Sequence, residues 1–312
     1  LPFAPMLLDR ESEPFTDPAW VAQVKWDGVR NLTLVEDGHV RHWSRRLRER
    51  TAYFPEFASL AGRLGPGRAV LDGEIIVLRN GKPSFNGVLE RDLAGGSPDR
   101  RKVQQVPATL MIFDLLEFGG RELYAVPLQE RLAMLGQVVE SSDAWQVVAQ
   151  HPGAAARDLF EATQSAGLEG IVIKRRDSGY APGVRTRAWV KVKHKRRMLA
   201  VVCGYTGSLG RSGGLILGAF REGSLRYIGR AGSGVSAEEL ALVQTHLRAA
   251  VRPFAVEPVL RDRFSGPPGT VVWTIPQLVV EVEFTEWTAE GRLRDPVVTG
   301  FSLEPPQAAE IP

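Results

Sequence analysis

The basic run at 191–197, KVKHKRR, divides the chain into two stretches of different texture. Before it, short β-rich runs alternate with helical ones. After it, apolar strand-like runs are separated by glycine-rich turns. A chain of 312 residues also exceeds what one hydrophobic core usually carries. Two domains are therefore expected, at 1–196 and 197–312, with the boundary near Arg196.

In the first stretch, strands are expected at 21–24, 31–35, 40–43, 69–78, 108–113, 170–174 and 189–192. The dipeptide Asp37-Gly38 suits a tight hairpin turn between the second and third of these. Helices are expected at 129–140 and 157–166, the second ending at Gly167, which suits a C-cap. In the second stretch, strands are expected at 198–205, 214–220, 225–230 and 278–284. Ser236 and Glu239 form a capping box for a helix at 237–250. Strands around one helix suit a small Greek-key barrel of the OB type.

Composition removes several function classes. The single cysteine, Cys203, excludes an intramolecular disulfide and a multi-cysteine zinc site, and its place in a strand suggests buried core. The five histidines show no metal-ligand spacing. No apolar run reaches the length of a membrane span and no signal peptide opens the chain, so no membrane partner and a cytoplasmic location are expected. A first residue that is Leu1 rather than Met is the expectation for a trimmed chain or one cut from a longer protein. Charge is uneven: residues 1–196 carry 28 Lys/Arg and 24 Asp/Glu, residues 197–312 carry 11 and 12. The first domain is the better candidate for binding phosphate.

Of the 39 basic residues, 32 are Arg and only 7 are Lys. Each lysine thus invites the question of what an amine does there. A lysine attacks phosphorus only as the neutral amine, and neighbouring cations or a metal favour that form. Arginine does not lose its proton in a protein. The hexapeptide Lys25-Trp26-Asp27-Gly28-Val29-Arg30 places a lysine at a strand end, though alone it is equally a surface lysine beside an Asp-Gly turn. Leu71-Asp72-Gly73-Glu74 offers a carboxylate for a metal or a ribose hydroxyl, or else another hairpin turn. Phe113 closes an apolar strand and can stack on a purine or serve as plain core. Glu169-Gly170 leads into a strand ending at Lys174, and alternation puts Lys191 and Lys193 on one strand face, facing either an anion or solvent.

The order of the pieces is specific. KWDGVR, Ser44-Arg45-Arg46, LDGE, FDLL, EGIVIK and WVKVK together resemble the nucleotidyltransferase motifs of ATP-dependent DNA ligases, in particular the ligase domain of bacterial DNA ligase D, an end-joining enzyme. PMLL at 5–8 and YIGRAGSGVS at 227–236 also match. The resemblance implies an α+β fold: an ATP-grasp-like nucleotidyltransferase domain with antiparallel sheets, followed by an OB-fold β-barrel. It implies that Lys25 takes AMP from ATP, with Asp27 positioning it. It further implies that Arg30 and Arg45 contact the ribose and phosphate side, Glu74 the ribose or metal, and Phe113 the adenine. Glu169 would hold Mg²⁺ or Mn²⁺, and Lys174, Lys191 and Lys193 would surround the phosphates.

Two departures from the family stand out. Gln23 occupies the position where these ligases usually carry Glu to read the adenine amino group; an amide carbonyl can still accept that bond. At the end of the chain, Arg292 and Arg294 are present, but the closing basic motif that orients pyrophosphate is not. Self-adenylylation is therefore expected to be slow or to rely on these two arginines.

The stretch 41–50, with Arg41, Arg46, Arg48 and Arg50, suits tracking of a DNA backbone or a solvated loop; Arg211 is a similar candidate in the second domain. The expected substrate is nicked or broken double-stranded DNA. The expected partners are a Ku-like end-binding protein and polymerase or nuclease domains of a longer chain, acting with a monomeric ligase at the bacterial nucleoid. The NAD-dependent ligases are disfavoured, because their zinc-binding cysteines are missing. The alternatives are an RNA ligase, an mRNA-capping-type nucleotidyltransferase, or an OB-type nucleic-acid binder with impaired self-adenylylation.

Overall fold

The computed structural model describes residues 3–9, 13–64, 67–92, 100–206, 214–232, 234, 248–260, 270–288 and 290–312. They fall into two compact units, Leu1–Lys193 and His194–Pro312.

The first unit carries twelve described strands: β1 (Leu7–Asp9), β2 (Trp20–Val24), β3 (Val29–Glu36), β4 (His39–Ser44), β5 (Ala69–Arg79), β6 (Lys82–Pro83), β7 (Ala108–Phe118), β8 (Arg121–Glu122), β9 (Trp145–Val147), β10 (His151–Pro152), β11 (Gly170–Arg175) and β12 (Arg185–Lys193). Its described helices are α1 (Phe85–Asp92), α2 (Arg100–Gln105), α3 (Leu128–Val138) and α4 (Ala156–Ser165). One sheet has the order β4-β3-β5-β7-β8, with β6 on β5 and β9 on β7; the other has the order β1-β12-β11-β2-β10. Most pairs are antiparallel, the exceptions being β1 with β12 and β7 with β9.

Sequence explains these positions. β5 lies between β3 and β7 and is buried along most of its length, so it reads as an almost continuous apolar run rather than an alternating one. Asp37 and Gly38 both adopt positive φ, at 50° and 75°, as a two-residue hairpin joining β3 to β4 requires. α3 buries Leu128, Leu132 and Leu135 along one stripe and packs on β7. α4 covers the outer face of the second sheet, over Ala22, Ile171, Ile173 and Val192. Strand alternation then turns Gln23, Val172, Lys174, Trp189, Lys191 and Lys193 to the opposite face, and that face carries the site.

The second unit is a curled antiparallel sheet of β13 (Arg196–Thr206), β14 (Leu215–Arg221), β15 (Ser224–Ala231), β16 (Val271–Trp273), β17 (Val279–Phe284) and β18 (Val297–Ser302). Its order is β15-β14-β13-β17-β18, with β16 paired to β13, around an apolar core that includes the buried Cys203. The expected helix at 237–250 lies outside the described residues up to 247. Its last positions are not helical, since Ala249 bridges to Thr274 as an isolated β contact. β18, for which no strand was expected, pairs with β17 from Val279 to Glu283.

Candidate active site

The first unit holds a cavity that opens to solvent. It is lined by side chains from both sheets, among them Gln23, Lys25, Arg30, Glu74, Phe113 and Lys174. Five of these belong to four separate sequence motifs, and the fold converges them because β2 and β11 are neighbours and Arg30 pairs with Glu74 across β3 and β5.

Lys25 follows the last residue of β2, and its backbone N–H donates to the Gly170 carbonyl at 2.9 Å. Its ammonium meets Glu169 Oε2 at 2.5 Å, while Lys193 Nζ holds Glu169 Oε1 at 2.7 Å. One carboxylate thus bridges two amines. Burial pushes the Glu169 carboxyl up, but the two lysines outweigh it and hold it below the ordinary range. Gly170 makes this approach possible: its φ is +143°, and a Cβ there would lie 2.1 Å from the Val192 carbonyl oxygen.

Beside it, burial pushes the Glu74 carboxyl up to about 7, with Arg30 and Lys25 opposing. Arg30 forms a two-point ion pair with Asp72, at 2.6 and 2.7 Å. Burial opposes the guanidinium charge, yet Asp72 raises its pKa overall. Asp72 is wholly buried and also accepts from Tyr180 Oη at 2.6 Å, while Tyr180 Oη accepts from the Met6 N–H at 3.0 Å. The next residue after Phe113, Asp114, makes a two-point ion pair with Arg131, both sides fully buried.

Lys174 lies 4.3 Å from the Phe113 ring centroid and 4.0 Å from that of Trp189. Burial lowers its pKa to about 7; Asp114 and Asp72 oppose the shift, and Arg30 and Arg131 assist it. Arg30 stands over the same Phe113 ring at 4.6 Å. Phe113 therefore forms a wall shared by two cations. Gln23 is 2% exposed, and neither its Oε1 nor its Nε2 has a hydrogen-bond partner. The indole N–H groups of Trp26 and Trp189 are likewise buried and unpaired.

Other expected residues fall elsewhere. Lys191 lies on the cleft face of β12, opposite Val172. Asp27 occupies the turn between β2 and β3, outside the cavity lining. Arg45 is exposed beyond β4 and does not line the cavity. Arg41, Arg46 and Arg48 are exposed, as a backbone-tracking surface needs. Arg50 is not: the turn through Leu47 brings its N–H back to the His42 carbonyl, and its guanidinium packs 4.5 Å from the Tyr53 ring centroid. It is removed from the exposed set. Arg211 lies outside the described residues. Arg292 stacks on Tyr227 at 5.3 Å and Arg294 pairs with Glu286, both within the second unit.

Sequence reasoning missed Tyr180 and Arg131, which belong to no motif and reach Asp72 and Asp114 from distant segments. Trp189 was legible as the first residue of the WVKVK strand motif, with no role of its own. Among the described residues, no group of three or more His, Cys, Asp and Glu side chains is assembled for a metal. Glu169 contacts Lys25 directly, and Glu74 lies in the field of both Lys25 and Glu169. That donor set suits an ion that takes one or two carboxylates and completes its shell from phosphate oxygens and water.

Two family models match the chain: "ATP dependent DNA ligase domain" at residues 6–193 and "ATP dependent DNA ligase C terminal region" at 208–302. The chain is 36% identical over 283 residues to the multifunctional non-homologous end joining DNA repair protein LigD of Mycobacterium tuberculosis, covering 88% of this chain and 35% of that protein. It thus spans about a third of that relative's length. Its structure is similar to the crystal structure of the ligase domain of M. tuberculosis LigD, with a TM-score of 0.56 at 32% identity over 99% of this chain and 98% of that one. It is equally similar, at 0.56 and 33% identity, to a mycobacterial DNA ligase D complexed with ATP and MES, covering 98% of this chain and 97% of that one.

Proposed function

The chain belongs to the ATP-dependent DNA ligases, and from that premise we propose that Lys25 is the nucleophile of a nick-sealing reaction on double-stranded DNA. The observation that carries the proposal is Lys25 itself. Its amine stands at the wall of a cavity with an unpaired amide, an aromatic wall and two buried cations, and it is held there by Glu169.

In the first step the Lys25 Nζ–phosphorus bond forms, the bond from the α-phosphorus of ATP to pyrophosphate breaks, and the amine proton is lost. AMP then passes to a DNA 5′-phosphate, and a neighbouring 3′-hydroxyl displaces it. Arg30, fixed by Asp72 and Tyr180, would bind the ribose and phosphate side. Lys191 and Lys193 would meet phosphate oxygens from the face of β12, and Lys174 would stand deeper, between Phe113 and Trp189. Phe113 would supply the base wall, and Asp27 would position Lys25 from its turn.

Mg²⁺ or Mn²⁺ held by Glu74 and Glu169 would supply charge stabilisation at the α-phosphate. Engaging Glu169 this way competes with its grip on Lys25, so releasing that carboxylate would also free the amine. The exposed Arg41, Arg46 and Arg48 would follow the DNA backbone. A role in double-strand break repair follows the end-joining relatives. There the ligase would act beside polymerase or nuclease domains and a DNA-end-binding protein. Arg292 and Arg294, tied to Tyr227 and Glu286, are the remaining candidates for orienting pyrophosphate.

The test is covalent labelling with α-labelled ATP and a divalent metal. The protein is expected to retain an acid-labile nucleotide, and Lys25→Ala is expected to retain none. Equal labelling of the two proteins would remove Lys25 as the nucleophile. Sealing of pre-adenylylated nicked DNA then separates the later steps from the first.

A further inference from the structure

Gln23 is an anomaly in the cavity wall. A buried amide with neither atom paired is costly unless a ligand completes it, and both atoms of this one are unpaired. Its position fits a nucleobase. Lys25 lies two residues further along the same face, about 7 Å at the usual strand rise. That distance matches the span from an α-phosphate across a ribose to the base. Val172 stands opposite Gln23, and Phe113 and Trp189, edge-to-face at 6.1 Å, line the same cavity.

An amide differs from a carboxylate in one decisive way. A carboxylate only accepts, whereas an amide presents a C=O on one side and an NH₂ on the other. A half-turn about the last side-chain bond exchanges them. Among the described residues no protein group bonds to either atom, so nothing fixes one orientation. With oxygen forward, Gln23 accepts from a 6-amino purine; with nitrogen forward, it donates to a 6-oxo purine. The unpaired Trp26 and Trp189 N–H groups are donors only, and purines of both kinds offer ring nitrogens to them. At N3 or N7, acceptors in both kinds of purine, they do not discriminate between the two.

We propose that Gln23 reads position six of the purine in either orientation, so that the site accepts both 6-amino and 6-oxo purine nucleoside triphosphates as nucleotidyl donors. This rests on the reading of Lys25 as nucleophile. The chemistry is unchanged: with a 6-oxo purine the same nitrogen–phosphorus bond forms, and the same pyrophosphate leaves.

The experiment compares α-labelled ATP with α-labelled ITP, which differs from ATP only at position six and the adjoining ring nitrogen. The labelling efficiencies of the parent protein are expected to agree within about 10-fold, since either orientation supplies one hydrogen bond. Gln23→Glu can only accept, so the ATP-to-ITP ratio is expected to rise on the order of 100-fold. Gln23→Leu removes both options and is expected to weaken the two nucleotides alike, leaving the ratio near that of the parent. A parent ratio on the order of 1,000 or more, or a ratio that Gln23→Glu leaves unchanged, overturns the proposal.

Tryptophan fluorescence gives a second readout, because Trp26 and Trp189 line the cavity. The ratio of dissociation constants for ATP and ITP is expected to move in the same way in both variants. If no nucleotide labels the protein, the nucleophile assignment fails, and the ratio of dissociation constants still decides the role of Gln23.

Discussion

Replacing Tyr180 with phenylalanine removes one oxygen and leaves the ring in place. That oxygen has two partners: it donates to Asp72 at 2.6 Å and accepts from the Met6 N–H at 3.0 Å. A hydrogen bond to a charged group contributes about 1.5–3 kcal/mol, and a buried N–H left unpaired costs about 1–3 kcal/mol. Asp72 keeps its ion pair with Arg30, so the carboxylate is weakened rather than abandoned. The expected loss is therefore about 3 kcal/mol. For a unit of nearly 200 residues this lowers Tm by roughly 6–12 °C. Thermal unfolding of Tyr180→Phe, Asp72→Asn and the double variant should give a coupling energy of about 1.5–3 kcal/mol. Arg30 then loses part of its fixed orientation, so the ATP concentration that half-saturates Lys25 labelling should rise more than the maximal rate falls. A Tm within about 2 °C of the parent, with coupling below about 0.5 kcal/mol, would refute the idea that Tyr180 sets the Asp72–Arg30 pair.

Two further outcomes are expected. Lys174 is buried with its folded-state pKa lowered to about 7, so its charge destabilises the fold fully below that pH. The cost fades as pH rises from about 7 toward the ordinary lysine range. Lys174→Met should accordingly be more stable than the parent at pH 6, with the gap in Tm closing by pH 9; a gap that widens with pH reverses the sign of this argument. In gel-shift titrations on nicked DNA, each of Arg41→Ala, Arg46→Ala and Arg48→Ala should reduce the log–log salt slope by about 0.9 where the residue meets a phosphate. Arg50→Ala should instead lower Tm and leave the slope unchanged, because that guanidinium packs on Tyr53.

What the sequence disclosed depended on the range of the interaction. The hairpin at Asp37-Gly38 and the helix end at Gly167, where φ is +68°, were legible because the backbone conformation is set by the residue itself. The strands of the site were legible because period-two alternation predicts which side chains share a face, and Lys191 and Lys193 do share one. Arg50 was misread for a tertiary reason. It ends a run of exposed arginines, and only the return of the chain to His42 shows that it points inward. α1 escaped notice because its eight residues contain one glycine and few apolar positions. β18, with Gly300 inside it, escaped notice as well, and is a strand because β17 offers it a partner.

The supports of the site were the least legible part. Tyr180 and Asp72 are 108 positions apart, and Arg131 and Asp114 belong to different elements. Neither pair has a spacing that marks it. Yet the two are alike in construction: Arg30, which lines the cavity, is fixed by a two-point ion pair with the buried Asp72, and Asp114, the neighbour of Phe113, by one with Arg131. Glu169 differs. It holds two lysines at a partly exposed rim by single contacts, and such contacts exchange more readily than buried two-point pairs. On the proposed reading, rigid pairs thus lie where a nucleotide would be oriented, and the exchangeable one lies where a proton and a metal would come and go.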